Sequence, residues 1–380
     1  MKHLSLFLLL LPFTCFAQLK IEGKVLNAND GKPIPDASVF INNATNGTKS
    51  NTDGTFTLYY LRSGQYDLVV SVIGYETYRK TVTVNKNMVL PDVQMIPKTM
   101  QLKVVRIGGD PKWARKVRLF KEYFLGRSAF ADQCTVLNPE VLHLRFSKGE
   151  KVLKGDTEDF LEIVNDALGY KLKYLVSSFV LDKEAMSVGY EGSVLFEEST
   201  GKPEDVARWA KNRREAYFGS PTHFLREILA SRVDSNFMVR PFCIKRIDTN
   251  KIVPINPGDI VYDKAIVYDT LHAAGYVHLT DKPGVYAITY SSDLDVFYYK
   301  PRQTHSMVAV GGREWGNRGQ VGSIIFLDPN MYFDINGTIL NPTGTMFKYK
   351  WGASRVAQLL PIDYWPEALD DDKMRFGKTK

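Results

Sequence analysis

The stretch Ser50–Tyr75, SNTDGTFTLYYLRSGQYDLVVSVIGY, sets two Gly-marked turns between three runs of alternating apolar residues. Asp53-Gly54 stands where a tight turn needs positive φ. Phe56, Leu58 and Tyr60 then alternate with Thr57 and Tyr59, the period of two of a half-buried strand. Upstream, LKIEGKVLNANDGKPIPDASVFI (19–41) gives a strand, a turn at Asp30-Gly31, a Pro33/Pro35 bracket that cannot sit inside a ladder, and a second strand. Downstream, GQYDLVVSVIGYETYRKTVTV (64–84) supplies two more strands around Gly74-Tyr75. No helical period interrupts this region, so residues 18–97 are expected to form a small antiparallel β-sandwich.

Ahead of it, Lys2 and His3 precede the apolar run LSLFLLLLPF and the small-residue pattern TCFAQ. That is the grammar of a secretory signal peptide over residues 1–17, too short for a membrane span. A lipoprotein reading would make Cys15 the first mature residue. Pro12, Phe13 and Thr14 fit that pattern poorly, and cleavage after Ala17 is expected. No later stretch reaches the roughly 18 apolar residues of a membrane helix, so the mature chain is expected in the periplasm or against the outer membrane, with peripheral membrane contact left open. The net charge of +7, from 49 Lys and Arg against 42 Asp and Glu, is spread along the chain and is no nucleic-acid footprint. Cys134 and Cys243 remain after export into an oxidising compartment. They form a disulfide or stay as two buried thiols, and spacing does not choose.

The segments GKVLNANDGKPIPDASVFI, NTDGTFTL and SGQYDLVVSVIGY together resemble the carboxypeptidase regulatory-like domain, a transthyretin-like sandwich found at the front of Bacteroidota envelope proteins. The resemblance implies an accessory domain without catalytic residues: a spacer, docking surface or folding aid. A zinc carboxypeptidase would need a His-x-x-Glu pair and a distant third His. The nearest pattern, His278-Leu-Thr-Asp281 with His305 behind it, has the wrong spacing and a shorter carboxylate. Fewer than about 290 residues follow the sandwich, too few for the plug and 22-stranded barrel of the outer-membrane transporters that also carry this module.

After a linker at 98–109, residues 110–380 read as a strand-rich antiparallel α+β domain, making the whole chain mostly β. Asp110-Pro111 and Gly126 bracket a helix in which Trp113, Val117, Phe120 and Phe124 share one face. That helix either lies on an anionic membrane surface or packs on its own sheet with a solvated basic flank. DFLEIVN, GYKLKYLVSSFVLD and AMSVGYEGSVLFEES are strands. Helices open at Pro203 and at Ser220-Pro221, and strands resume from residue 251, one of them, YFDINGTIL, turning at Asn336-Gly337. KWARKVRLFKEYFLG, CTVLNPEVL, ALGYKLKY and GSPTHFLREIL are similar to a group of Bacteroidota envelope proteins that pair this region with the front module, and that likeness carries no activity over.

Two candidate ligand sites stand out. Arg213 and Arg214 end one helix, Ser220 caps the next, and His223 and Arg226 lie one turn apart on it. Free N–H groups and arginine forks there could hold a carboxylate or phosphate; the plainer reading pairs the arginines with Glu204, Glu215 or Glu227. The second is GGREWGNRGQVG (311–322), whose Arg313, Trp315 and Arg318 could grip a sugar or peptide from a mobile loop, or simply cap a hairpin. It lacks the Gly-Lys-Ser/Thr ending of a phosphate loop. No Gly-x-Ser-x-Gly elbow and no His-Glu-x-x-His is present. Glu140-Val-Leu-His143 lacks the second copy and four long helices of a di-iron bundle. The sequence therefore names no cofactor, metal or catalytic residue. It points to a binding protein for an envelope protein, glycan or peptide, with a carboxylate-based hydrolase as the alternative.

Overall fold

The computed structural model describes residues 19–61, 64–98, 110–147, 149–242, 245–246, 262–263, 270–299 and 319–366. The leader and Cys15, most of the linker, Cys243, Arg313, Trp315 and Arg318 lie outside them.

The front sandwich has two sheets. β1 (Leu19–Asn27) takes β4 (Thr55–Leu61) antiparallel on one edge and runs parallel to the short β7 (Met88–Val89) and β8 (Val93–Met95). The other sheet orders β3 (Gly47–Lys49), β2 (Ser38–Ile41), β5 (Gly64–Ser71) and β6 (Tyr78–Val84). The opening stretch behaves as its alternation requires: Phe56 and Leu58 are buried while Tyr59 is 56% exposed. Gly54, at φ +81, closes the turn before β4, where an added Cβ would lie 2.5 Å from the Val25 carbonyl oxygen. The two sheets share one core around Ile21, Val39, Leu58, Leu68 and Val84.

Beyond residue 110 the apolar side chains gather into two further cores. The first lies between α1 (Trp113–Leu125) and a six-stranded sheet of β9 (Cys134–Val136), β10 (Leu142–Ser147), β11 (Val152–Thr157), β12 (Leu161–Asn165), β13 (Tyr170–Asp182) and β14 (Ser187–Glu198). The 13-residue β13 organises it. One edge takes β12 against its first half and β11 against its last, and the other edge takes β14 along nearly its whole length. Phe120 and Phe124 of α1 are fully buried. Phe124 meets Tyr174 and Tyr190 edge-on at centroid distances of 5.0 and 5.1 Å. The apolar face of α1 is thus spent on its own sheet.

Two helices follow, α2 (Pro203–Tyr217), with Pro at its first position, and α3 (Pro221–Leu229). The third core is built by α3, α4 (Val233–Asn236) and the ladder β15 (Phe237–Phe242), β20 (Asp293–Tyr298), β21 (Gln320–Phe326) and β23 (Thr345–Lys348). The two-residue strands β16 (Lys245–Arg246) and β17 (Tyr262–Asp263) pair with each other. A smaller sheet joins β18 (Val277–Leu279), β19 (Val285–Ile288) and β22 (Met331–Asp334). α5 (Tyr349–Ala353) then places Trp351, whose indole N–H donates to the Gly219 carbonyl at 2.7 Å.

The sandwich meets the middle sheet along a seam. Ala44 and Leu195 form a parallel bridge, and Phe40, Val69, Leu175 and Leu195 make a small buried cluster there. No helix among the described residues is long and apolar enough to cross a membrane.

Candidate functional site

The turn between α2 and α3 forms as its residues direct. Ser220 caps α3 by accepting the His223 backbone N–H at 3.1 Å, and Gly219, at φ +76, makes the reversal. The four side chains singled out there do not share one surface. Arg213 lies over the Tyr170 ring at 3.9 Å and donates to the carbonyls of Leu168 (2.7 Å) and Gly169 (3.1 Å) and to Glu198 (2.9 Å). It staples the β12–β13 turn. Arg214 is exposed.

Arg226 and His223 point inward instead. Arg226 is only 4% exposed, and its guanidinium donates to the carbonyls of Asn336 (2.9 Å), Tyr364 (2.9 Å) and Ile362 (2.6 Å) while lying 4.0 Å from the Trp365 ring centre. His223, 3% exposed, is enclosed by the rings of Tyr217, Phe218, Phe237 and Tyr298. Its Nδ1 accepts the Gly219 N–H at 3.1 Å, which leaves the ring proton on Nε2, 3.8 Å from Glu227. Burial holds this imidazole down to about 4, against the opposing pull of Glu227. The Glu227 carboxylate is held by Arg232 at 2.9 Å and by the Asn236 amide. The Glu227 alternative from the sequence is therefore half right: the carboxylate is paired, but with Arg232.

A second arrangement comes from segments that are far apart in sequence. The turn ahead of β9 (Asp132, Gln133, Thr135), the β12–β13 turn (Asp166), the end of β14 (Ser199, Thr200) and the first turns of α2 (Asp205, Arg208, Trp209) line an open cleft of ≈540 Å³. Its volume falls in the range of small-ligand sites. Trp209 is the fixed wall. Its indole N–H donates to the Asp166 carbonyl at 2.9 Å, and its ring lies so close to Gly169 and Gly201 that a Cβ on either would come within 2.5 Å of it. Arg208 bridges the rim, donating to Asp205 at 2.8 Å and to the Asp166 carbonyl at 3.1 Å. The Arg208 bond holds the Asp205 carboxyl below the usual range. Such a lining of carboxylates, hydroxyls and an amide can accept from and donate to a polar ligand.

Other patterns resolve as structural. Glu140 sits in a single 3-10 turn, and His143, on β10, pairs with Asp156 across the ladder at 3.1 Å, so the two are not on a helix. Asp334 closes its hairpin by accepting the N–H groups of Asn336 and Thr338, both at 2.8 Å. Burial pushes the Cys134 thiol up to about 12, and its Sγ lies 3.4 Å from the Phe130 carbonyl. The pairing proposed for it falls on Cys243, outside the described residues, as does the 311–318 part of the glycine-rich loop. Among the described residues no cluster of three or more His, Cys, Asp or Glu could hold a metal ion.

Comparison with known proteins bears on the front of the chain. Residues 21–107 match the model of the CarboxypepD_reg-like domain. No curated protein matches. Among solved structures, a type II cohesin–X-dockerin complex of Acetivibrio cellulolyticus is 17% identical over 29% of this chain and 76% of that one, with a TM-score of 0.20. A DUF3823 family protein from Bacteroides ovatus is 13% identical over 48% and 82%, with a TM-score of 0.18. A Bacteroides fragilis protein described as membrane-associated and of unknown function is 12% identical over 49% and 83%, also at 0.18. Scores this low carry nothing further about the middle and last parts. By that match, residues 21–107 form a CarboxypepD_reg-like domain.

Proposed function

We propose that the chain is exported to the cell envelope and works there by binding, with the regulatory-like sandwich as an accessory and the cleft beside Trp209 as the seat for a glycan or peptide of an envelope partner. The cleft carries this reading: three aspartates, three hydroxyls and an amide surround one rigid indole at a volume suited to a sugar or short peptide. The lowered carboxyl of Asp205 does not suit it to act as a general acid, which needs its carboxyl raised toward neutrality. Export rests on the leader sequence at residues 1–17.

The test is thermal shift and calorimetry of the full mature chain against peptidoglycan disaccharide-peptides, envelope oligosaccharides and short peptides. A ligand that stabilises the parent should leave Thr200→Trp unmoved, since an indole at that exposed rim position fills the cleft. Equal shifts in both proteins would place binding elsewhere. Mass spectra of the same mixtures that show cleaved product would transfer the assignment to a hydrolase.

A further inference from the structure

The segment after α5 reaches the middle core, the front core and Arg226 of α3 within thirteen residues. Val356 and Ala357, each 1% exposed, insert into the middle core, where the buried Asn165 amide donates to the Ala357 carbonyl at 2.9 Å. Ile362 then packs against the front core, and its N–H donates to the Asn43 carbonyl at 2.6 Å. Asp363 accepts from the backbone N–H and the hydroxyl of Thr45. The Ile362 and Tyr364 carbonyls are taken by Arg226 on α3, and Trp365 lies on its guanidinium.

The same turn of the sandwich, Asn42–Thr45, also binds the middle sheet, beside the Arg79–Ser177 bond at 2.7 Å. The Asn43 N–H donates to the Val194 carbonyl at 2.8 Å, the Phe196 N–H to the Ala44 carbonyl at 2.9 Å, and the Val194 N–H to the Asn42 side chain at 3.0 Å. This four-residue turn is therefore gripped from one side by β14 and from the other by residues 362–363. The two ends of the gripping segment differ in kind. Val356 and Ala357 are fully buried, whereas Ile362, Tyr364 and Trp365 are half-buried, Asp363 is exposed, and this end is held largely by polar contacts. Partly exposed contacts open at lower free energy than fully buried ones.

We infer that Ser354–Pro366 is a conformational clasp: closed on Asn43, Thr45 and Arg226, it fixes the front sandwich on β14, and release of its Ile362–Trp365 end frees the sandwich to leave the body. Release uncovers the small apolar seam of Phe40, Val69, Leu175 and Leu195, which the closed state keeps from water. The sandwich is thus switchable between a locked and a swinging position by opening only that small seam.

Native-state hydrogen exchange on the full mature chain tests this. Asp363→Ala combined with Trp365→Ala alters only the polar end. The amides of Asn43, Val194 and Phe196 should then lose protection together, by about tenfold or more, while the β20–β21 ladder exchanges as in the parent. Faster exchange confined to residues 354–366, or no change anywhere, overturns the clasp. Arg226→Met is the stronger form of the same break. If it also loosens the β20–β21 ladder, the fold itself has failed and the double variant alone decides.

Discussion

His223→Gln should flatten the acid limb of the stability curve. In the folded chain the imidazole sits among four rings with its Nδ1 taken by the Gly219 N–H, and burial holds it down to about 4 from an ordinary value of 6.5. The groups facing it are Glu227, which pulls the other way, and Arg226 and Arg232, which add to the depression. Tyr298, pushed up to about 12 by burial, stays neutral across the range. A lowered folded value means that the unfolded chain takes up this proton first. The contribution is therefore whole above pH 6.5 and is lost as the pH falls toward 4. At 1.36 kcal/mol per unit, the shift corresponds to about 3 kcal/mol. Glutamine does not titrate and keeps an acceptor for Gly219. Urea unfolding followed by tryptophan fluorescence, at steps from pH 7.5 to 4, compares the two proteins, and Trp351, packed on Phe224 of the same helix, lies beside the site. Asp334 and Asp293, both raised by burial, gain stability in acid, but equally in both proteins. The parent should lose about 3 kcal/mol more than the variant between pH 6.5 and 4. Parallel curves would refute the argument that this imidazole is kept neutral by its surroundings.

Gly169→Ala should cost more than about 2 kcal/mol and change the near-ultraviolet circular dichroism, because φ is +66 there and the new Cβ would lie 2.2 Å from the Trp209 ring. An unaltered aromatic spectrum would show that the cleft wall can move. Phe124→Ala removes a fully buried ring that packs on Phe120, Phe179, Tyr174 and Tyr190, and a loss of about 3–5 kcal/mol in denaturant unfolding is expected. A loss under about 1 kcal/mol would mean that this core is loosely packed.

The front sandwich was legible because its turns are chemical and local. Gly31, Gly54 and Gly74 all take positive φ, and Phe56 and Leu58 alternate inward as their spacing requires. The helices were legible through Pro203, the Ser220 cap and the Gly126 stop. Less of the middle sheet could be read. β10 and β11 carry Arg145, Lys154 and Asp156 among their apolar residues, and these charges blur the alternation. At the α2–α3 turn the sequence could not show that Arg226 turns inward onto carbonyls from positions 336, 362 and 364, away from Arg213 and Arg214. The cleft was invisible for a similar reason, since its lining comes from four separate segments and spacing along the chain does not report distance in space. Nothing local to Trp209 in the sequence marks it as the wall of a cavity.

The contact between Thr45 and Asp363 joins positions 318 apart in the chain. During synthesis the sandwich emerges first, and its strands pair locally enough to fold as soon as they appear. Its seating on β14 can begin once residue 196 has followed, yet the Asn42–Thr45 turn stays gripped from one side only until residue 363 arrives. Contacts of such long separation form late and slowly. The half-seated intermediate carries an exposed seam at Leu175 and Leu195, and that is where a chaperone, or a second unfinished chain, would first find purchase.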